Sequence, residues 1–218
     1  MPSLTEPNRL NDLLKWEQEN FFSREAIVVA TGENLSLAAV IGKITNATPA
    51  TGTAGGTNTG AGTCTGVTAG DDVQIGDYVL ECAAIATGAG TFKVTAPNGE
   101  ALPDAEVGEA YENPQINFTL NDGTPDFALG DTFTITVADG SGKVVAIDFA
   151  AVDGSQNAYG FTIAGYDATS ADVKGVAIVR DAVIVEDNLV WPDGATTPQK
   201  TAALALLKAT GIVSRDQA

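Results

Sequence analysis

The chain has 218 residues, with 28 acidic side chains against 11 basic ones, a net charge of −17 and no histidine. That balance excludes nucleic acid as a direct partner, because phosphate binding needs a basic patch, and it disfavours anionic membrane surfaces. The missing histidine removes Ser-His-Asp and Cys-His catalysis and nearly every transition-metal site, so no cofactor and no metal are expected.

Apolar residues make up 44% of the chain, enough for a packed core, while 24 glycines and only 6% aromatics favour turns and strands over helices. No apolar run reaches the roughly 18 residues of a membrane span. The start lacks a basic stretch followed by an apolar core, so no signal peptide is expected and synthesis should be cytoplasmic. In that compartment Cys64 and Cys82 are most simply reduced and partly buried.

Residues 1–20 are polar with a short apolar stripe, Leu10, Leu13 and Leu14. Asn8 or Asn11 could cap a helix of two or three turns, which is marginal alone. The segment reads either as a frayed terminal helix or as one that orders on a partner. Phe21-Phe22 is either core or a partner anchor. Ala26-Ile27-Val28-Val29 is a β-branched run and should be extended. After a turn at Thr31–Asn34, Leu35–Ile44 should give one or two strands.

Residues 49–66 are rich in Gly, Thr and Ala and carry no charge. A phosphate loop is excluded, because no Gly-Lys-Ser/Thr ends the stretch. A linker followed by a strand is expected. From 67 to about 147 the pattern is all-β. Tyr78–Cys82, Thr91–Thr95, Ile116–Leu120 and Phe133–Val137 alternate, and Pro97-Asn98-Gly99, Asn121-Asp122-Gly123 and Asp139-Gly140 supply turns. About five half-buried strands predict a small β-sandwich. Residues 50–142 hold 13 carboxylates and one lysine, so −12 of the −17 falls there and −5 on the remainder.

Strands are expected again at Val176–Arg180 and Ala182–Val185. The chain then closes on a hydrophobic latch. Leu189-Val190-Trp191 reads as a strand, and Pro192-Asp193-Gly194 as a turn. A helix follows with Thr197 as cap, Pro198 at the first helical position and Ala203, Leu204 and Leu207 on one face. Gly211 suits the left-handed residue after the helix, and Ile212-Val213 a last strand. Trp191 is expected to be the largest piece of this latch, as core packing, with ligand stacking as the lesser alternative.

Four segments carry a family resemblance. They are Phe22-Ser23-Arg24-Glu25-Ala26-Ile27-Val28-Val29-Ala30-Thr31-Gly32-Glu33-Asn34-Leu35 with Val40-Ile41-Gly42-Lys43; Asp153-Gly154-Ser155-Gln156-Asn157-Ala158-Tyr159-Gly160; Tyr166–Asp172; and Leu189–Val213 with its Trp-Pro and Thr-Pro-Gln-Lys. In this order they resemble the lambda-type phage head decoration protein D family. The resemblance covers about 21–48 and 148–215. It implies a mostly β protein: a discontinuous α+β decoration domain (21–48 plus 148–218) with one C-terminal helix, interrupted by an all-β sandwich (49–147), after an N-terminal segment 1–20.

It further implies a structural protein, not an enzyme, made in the host cytoplasm and carried on the outer surface of the virion head. The implied partners are the major capsid protein and the chain itself, as homotrimers at local three-fold sites. The arm Phe22, Ser23, Arg24, Glu25, Ala26, Ile27, Val28, Val29 and Ala30 would add a strand to the capsid protein, and Phe21-Phe22 would anchor it. The alternative is an internal strand of the same domain. Trp191, Pro192, Leu204 and Leu207 form the packing latch. The inserted sandwich is expected to point outwards as an accessory display module.

Other readings of the residues compete with this one. A phage tail or surface adhesion protein could bind glycans through the sandwich. A glycosidase would need a carboxylate pair such as Asp122 with Asp126 or Asp71 with Asp72, but both lie in turns without aromatic sugar platforms. Calcium at Asp122, Asp126 and Asp139 lacks a recognised loop spacing. A Cys64–Cys82 disulfide is open only if their strands are neighbours.

Overall fold

The computed structural model describes residues 9–215; residues 1–8, with the candidate cap Asn8, lie outside them. The fold is mostly β, with one long helix near the C-terminus and two single-turn helices near the start. The chain begins with α1 (Leu10–Leu13), β1 (Leu14–Glu17), α2 (Asn20–Ser23), β2 (Arg24–Val29), β3 (Asn34–Leu35) and β4 (Val40–Lys43). Next come β5 (Thr53–Ala54), β6 (Thr63–Ala69), β7 (Gly76–Ala86), β8 (Ala89–Thr95), β9 (Ala101–Glu106), β10 (Ala110–Tyr111), β11 (Ile116–Asn121) and β12 (Thr132–Val137). It ends with β13 (Val144–Ala146), β14 (Ala158–Thr162), β15 (Tyr166–Asp167), β16 (Val173–Ile178), β17 (Ala182–Ile184), a 3₁₀ turn (Glu186–Asn188), α3 (Thr197–Ala209) and β18 (Ile212–Ser214).

These elements form two compact units. One takes the chain up to Thr45 together with everything from Ser141, and the other is Asn46–Gly140.

In the first unit β13-β2-β16-β14-β4 close a small barrel. Ile27 and Val29 point inwards from β2, and meet Ile41, Val144 and Ala177 in its core. A second sheet, β1-β17-β18, packs with α3 over a separate cluster around Phe161, Ile178, Leu207 and Ile212. Burying each such side chain is worth about 1.5–3 kcal/mol. The N-terminal segment is part of this unit. Its helix has one turn rather than two or three, because Leu14 already leaves it in extended geometry to pair β1 with β17. Leu13 is fully buried.

Two details of the latch differ from expectation. The helix cap is Thr196, not Thr197. Thr196 sits in extended geometry and forms a reciprocal box with Gln199, so Thr197 is the first helical residue and Pro198 the second rather than the first. Leu189–Trp191 is not a strand either. The polar run Glu186-Asp187-Asn188 coils into the 3₁₀ turn, and only Val190 pairs, with Ala39. Gly211 does take the left-handed conformation, φ 85°.

The second unit is a sandwich. Sheets β5-β12-β7-β8-β9 and β10-β11-β6 share one cluster. Phe92, Phe127 and Phe133 meet edge-on or tilted inside it, and Tyr111 stacks on Phe118 at 4.5 Å. The stretch 49–66, expected to be a linker followed by a strand, does lead into a strand, β6 from Thr63, but its earlier part is built into this unit rather than free. Thr59 and Gly60 donate their N–H groups to the buried Asp131 carboxylate (2.8 and 2.9 Å), and a side chain at Gly62 would collide with the Phe127 ring.

Candidate functional site

The segment proposed from sequence as a partner-binding arm begins at α2. Its single turn lifts Phe21 and Phe22 into solvent, 84% and 49% exposed, while Ser23 is buried and donates to the Asp181 carbonyl at 3.0 Å. Arg24 makes a two-pronged pair with Glu17, 2.9 and 2.5 Å. Glu25 accepts from the Tyr159 hydroxyl (2.7 Å) and from Arg180 (2.7 Å). The Tyr159 hydrogen bond, helped by Arg180 and Lys43, holds the Glu25 carboxyl below its usual range. Arg180 also donates to the Phe22 carbonyl (2.6 Å) and lies 5.9 Å from the centre of its ring. The charges along this strip are therefore matched within the protein, and the groups left facing outwards are aromatic rings and backbone.

The backbone is the more telling part. The Val179 N–H donates to the Ser23 carbonyl, and the Ala30 N–H to the Val144 carbonyl, both at 3.0 Å. Peptide groups alternate along a strand. The odd residues from Ser23 to Val29 thus turn their polar groups to β16, and the even ones turn theirs the other way. On that other side β13 reaches only Val29, by the single pairing Val144↔Val29. The Arg24 N–H turns back to the Asn20 carbonyl. This leaves the N–H and C=O of Ala26 and the N–H of Val28 on an edge that no strand among the described residues covers. Ala26 is exposed, whereas Ile27 and Val29 are buried. The segment is thus an internal barrel strand on one edge, while on the other, among the described residues, it is paired only at its Val29 end and open before it.

The remaining sequence candidates lie elsewhere. Leu207 is buried, but Trp191, Pro192 and Leu204 are only half-buried. Trp191 stacks on Phe149 at 6.5 Å with Lys200 6.0 Å from its ring centre, so it covers the core rather than filling it. Asp71 and Asp72 are exposed turn residues, and Asp122 and Asp126 are exposed loop residues. Among the described residues no three His, Cys, Asp or Glu side chains gather as a metal would require. Cys64 and Cys82 are free and buried, and burial pushes the Cys64 thiol up to about 11.

Sequence reasoning missed Tyr159, Arg180 and Lys43 as supports of the arm, since only the fold brings side chains of β4, β14 and the turn after β16 within reach of Glu25. It also missed Trp16, 52% exposed on β1 opposite Val183. A tryptophan in a polar run was the available signal.

The family described as bacteriophage lambda head decoration protein D has a sequence model that matches residues 3–212, nearly the whole chain. The chain belongs to that family. As a member of the head decoration protein D family it is a phage capsid structural protein, and that family is structural rather than enzymatic. No curated protein matches it. The chain is similar to two crystal structures of Xanthomonas campestris FlgL, in space groups C2 and H3, each at 14% identity and a TM-score of 0.32. The matches cover 53% and 80% of this chain and 40% and 44% of those, so it spans less than half their length. That likeness is too low to bear on fold or function.

Proposed function

We propose that this decoration protein cements the outside of the expanded phage head, and that the open edge of β2 receives a strand of the major capsid protein. The observation that carries the reading is the uncovered edge at Ala26 and Val28, beside two exposed phenylalanines. Strand addition draws its affinity from main-chain hydrogen bonds and its register from alternate side chains. An incoming strand would satisfy the Ala26 and Val28 groups, and Phe21 and Phe22 would anchor its flank. β2 stays paired with β16 throughout, so the arm need not leave the barrel to bind.

The protein acts as a trimer at local three-fold positions, and three arms then engage three neighbouring capsid subunits. A ligand that binds only the expanded lattice stabilises it by mass action, and linking sites raises the apparent affinity without new contacts. The discontinuous unit, which runs up to Thr45 and resumes at Ser141, is the head-binding domain. The sandwich, Asn46–Gly140, is an accessory module displayed on the virion surface.

Co-sedimentation with expanded, undecorated heads tests this reading. Saturable binding at three chains per local three-fold site is expected, both for the full chain and for a variant in which the sandwich unit, 46–140, is replaced by a short linker and the barrel strand β13 is kept. Absence of binding by the full chain would overturn the reading. Loss of binding in the deleted variant alone, with its fold intact, would make the sandwich part of the cement.

A further inference from the structure

We infer that the far end of the sandwich is a docking site for a polypeptide surface with an apolar centre and a basic surround. The module has a near and a far end, defined by its own strands. The chain comes in and leaves beside the C-terminal end of β12: Asn46 bridges Asp139, Ala47 donates to the Ala138 carbonyl, and Ala50 to that of Thr136. From there β7 runs alongside β12, from Gly76 opposite Val137 to Glu81 opposite Thr132. It does not stop where β12 stops. At about 3.4 Å per residue, Cys82–Ala86 carries β7 about 17 Å further before it turns back into β8.

This projecting hairpin is unusual for its surroundings. In a module that holds 13 carboxylates, residues 82–92 carry no charge. Ala83, Ala84, Ile85 and Ala86 are exposed, Ile85 by 54%. The loop before β12 packs against the hairpin's base, where Gly130 donates to the Cys82 carbonyl (3.0 Å) and Cys82 to that of Asp131 (2.8 Å). It adds Leu129, 63% exposed. Exposed apolar groups gathered at one place mark interaction sites.

The surround selects the partner. Asp126 accepts from the Gly88 N–H (3.4 Å) at the tip of the hairpin, and Asp122 lies beside the same glycine. Glu106 accepts from Thr91 (2.9 Å), and Val107 donates to Gly90 (2.9 Å), which places Glu106 at its flank. The module's one basic residue, Lys93, pairs with Glu81 further down. An apolar centre ringed by carboxylates repels a second copy of itself and an anionic membrane alike. It is complementary to a patch of apolar residues bordered by lysine and arginine, and such charge patterns set specificity and on-rate.

The test uses the full chain and an amphipathic leucine–lysine peptide as probe, with affinity read by fluorescence anisotropy of the labelled peptide. Saturable binding is expected. It should weaken about ten-fold in Ile85→Ser/Leu129→Ser and in Asp122→Asn/Asp126→Asn, as loss of anchor contacts does. Asp71→Asn/Asp72→Asn removes the same charge near the other end, where Asp72 donates to the Pro114 carbonyl, and should leave affinity unchanged. No saturable binding would overturn the inference. So would full affinity in Ile85→Ser/Leu129→Ser, or equal weakening by the Asp71/Asp72 pair, which would mean net charge alone. Tip-to-tip dimers of the full chain, seen by sedimentation velocity and lost in Ile85→Ser/Leu129→Ser, would overturn it too. Head binding plays no part in this readout.

Discussion

The Tyr159 hydroxyl donates to the Glu25 carboxylate at 2.7 Å, reaching from β14 across β16 to β2. Burial first, and then the Glu25 carboxylate, push the Tyr159 hydroxyl up to about 12. The same bond is the main reason that Glu25 lies low. Tyr159→Phe should therefore cost about 1 kcal/mol at neutral pH, the net worth of one hydrogen bond. The pH dependence follows from the two directions. Glu25 stabilises the fold above its unfolded pKa, and this is lost as pH falls through the lower folded value. Tyr159 stabilises it below its unfolded pKa, and this is lost as pH rises towards about 12. Urea unfolding from acid to alkaline pH should show both slopes in the native chain, and both flattened in Tyr159→Phe.

Asp131 should be the most sensitive polar residue of the sandwich. Burial alone would raise its pKa, but backbone N–H groups of Ala128, Thr59 and Gly60 outweigh burial and bring it below the ordinary value. Asp131→Ala removes the acceptor of three part-buried N–H groups, each such hydrogen bond being worth about 1 kcal/mol net, so a loss of about 3 kcal/mol is expected. Hydrogen exchange at Thr59, Gly60 and Ala128 checks it, and those amides should lose protection together. In the native chain this contribution is present above the unfolded carboxylate pKa and fades as pH falls through the lower folded value.

Gly42 tests the barrel. A side chain there would run into the Ser155 backbone, and Ser155 is itself buried in the Asp153–Ser155 turn. Gly42→Ala should destabilise the fold by about 1–3 kcal/mol, the usual cost of overpacking. Thermal unfolding followed by circular dichroism reads the change.

Neither cysteine should react with a thiol reagent until the sandwich unfolds. Both are buried, and burial raises both pKa values, Cys64 to about 11. Thiol titration with and without denaturant distinguishes this from an open site.

Much of this fold was legible wherever one face of a strand is wet. Ile116–Leu120 and Phe133–Val137 alternate without exception, and they are β11 and β12 with alternate residues buried. The α3 helix announced itself through Thr-Pro and Gly211, although its cap lies one residue earlier, since Thr196 and Thr197 offer the same chemistry. What stayed hidden depends on distant residues. Residues 49–66 look like a linker because their order comes from Asp131 and Phe127, far along the chain. Of the candidate arm, Ala26–Val29 was readable as extended. That one edge is taken by β16 and the other, among the described residues, meets only β13 at Val29 could not be read, because local sequence does not encode which strands become neighbours. The same limit hid Tyr159 and Arg180.

The account turns on the free edge of β2, and one substitution isolates it. Ala26→Pro removes the outward N–H at the centre of that edge, while proline is tolerated in a strand where its N–H side faces solvent. The decisive measurement is co-sedimentation of Ala26→Pro and native protein with expanded, undecorated heads, after circular dichroism has shown equal folding. The account predicts saturable binding by the native chain and at least about a ten-fold loss in the variant, the scale of a missing main-chain bond in a buried interface. Equal binding by both would contradict it, and would move the head contact away from β2.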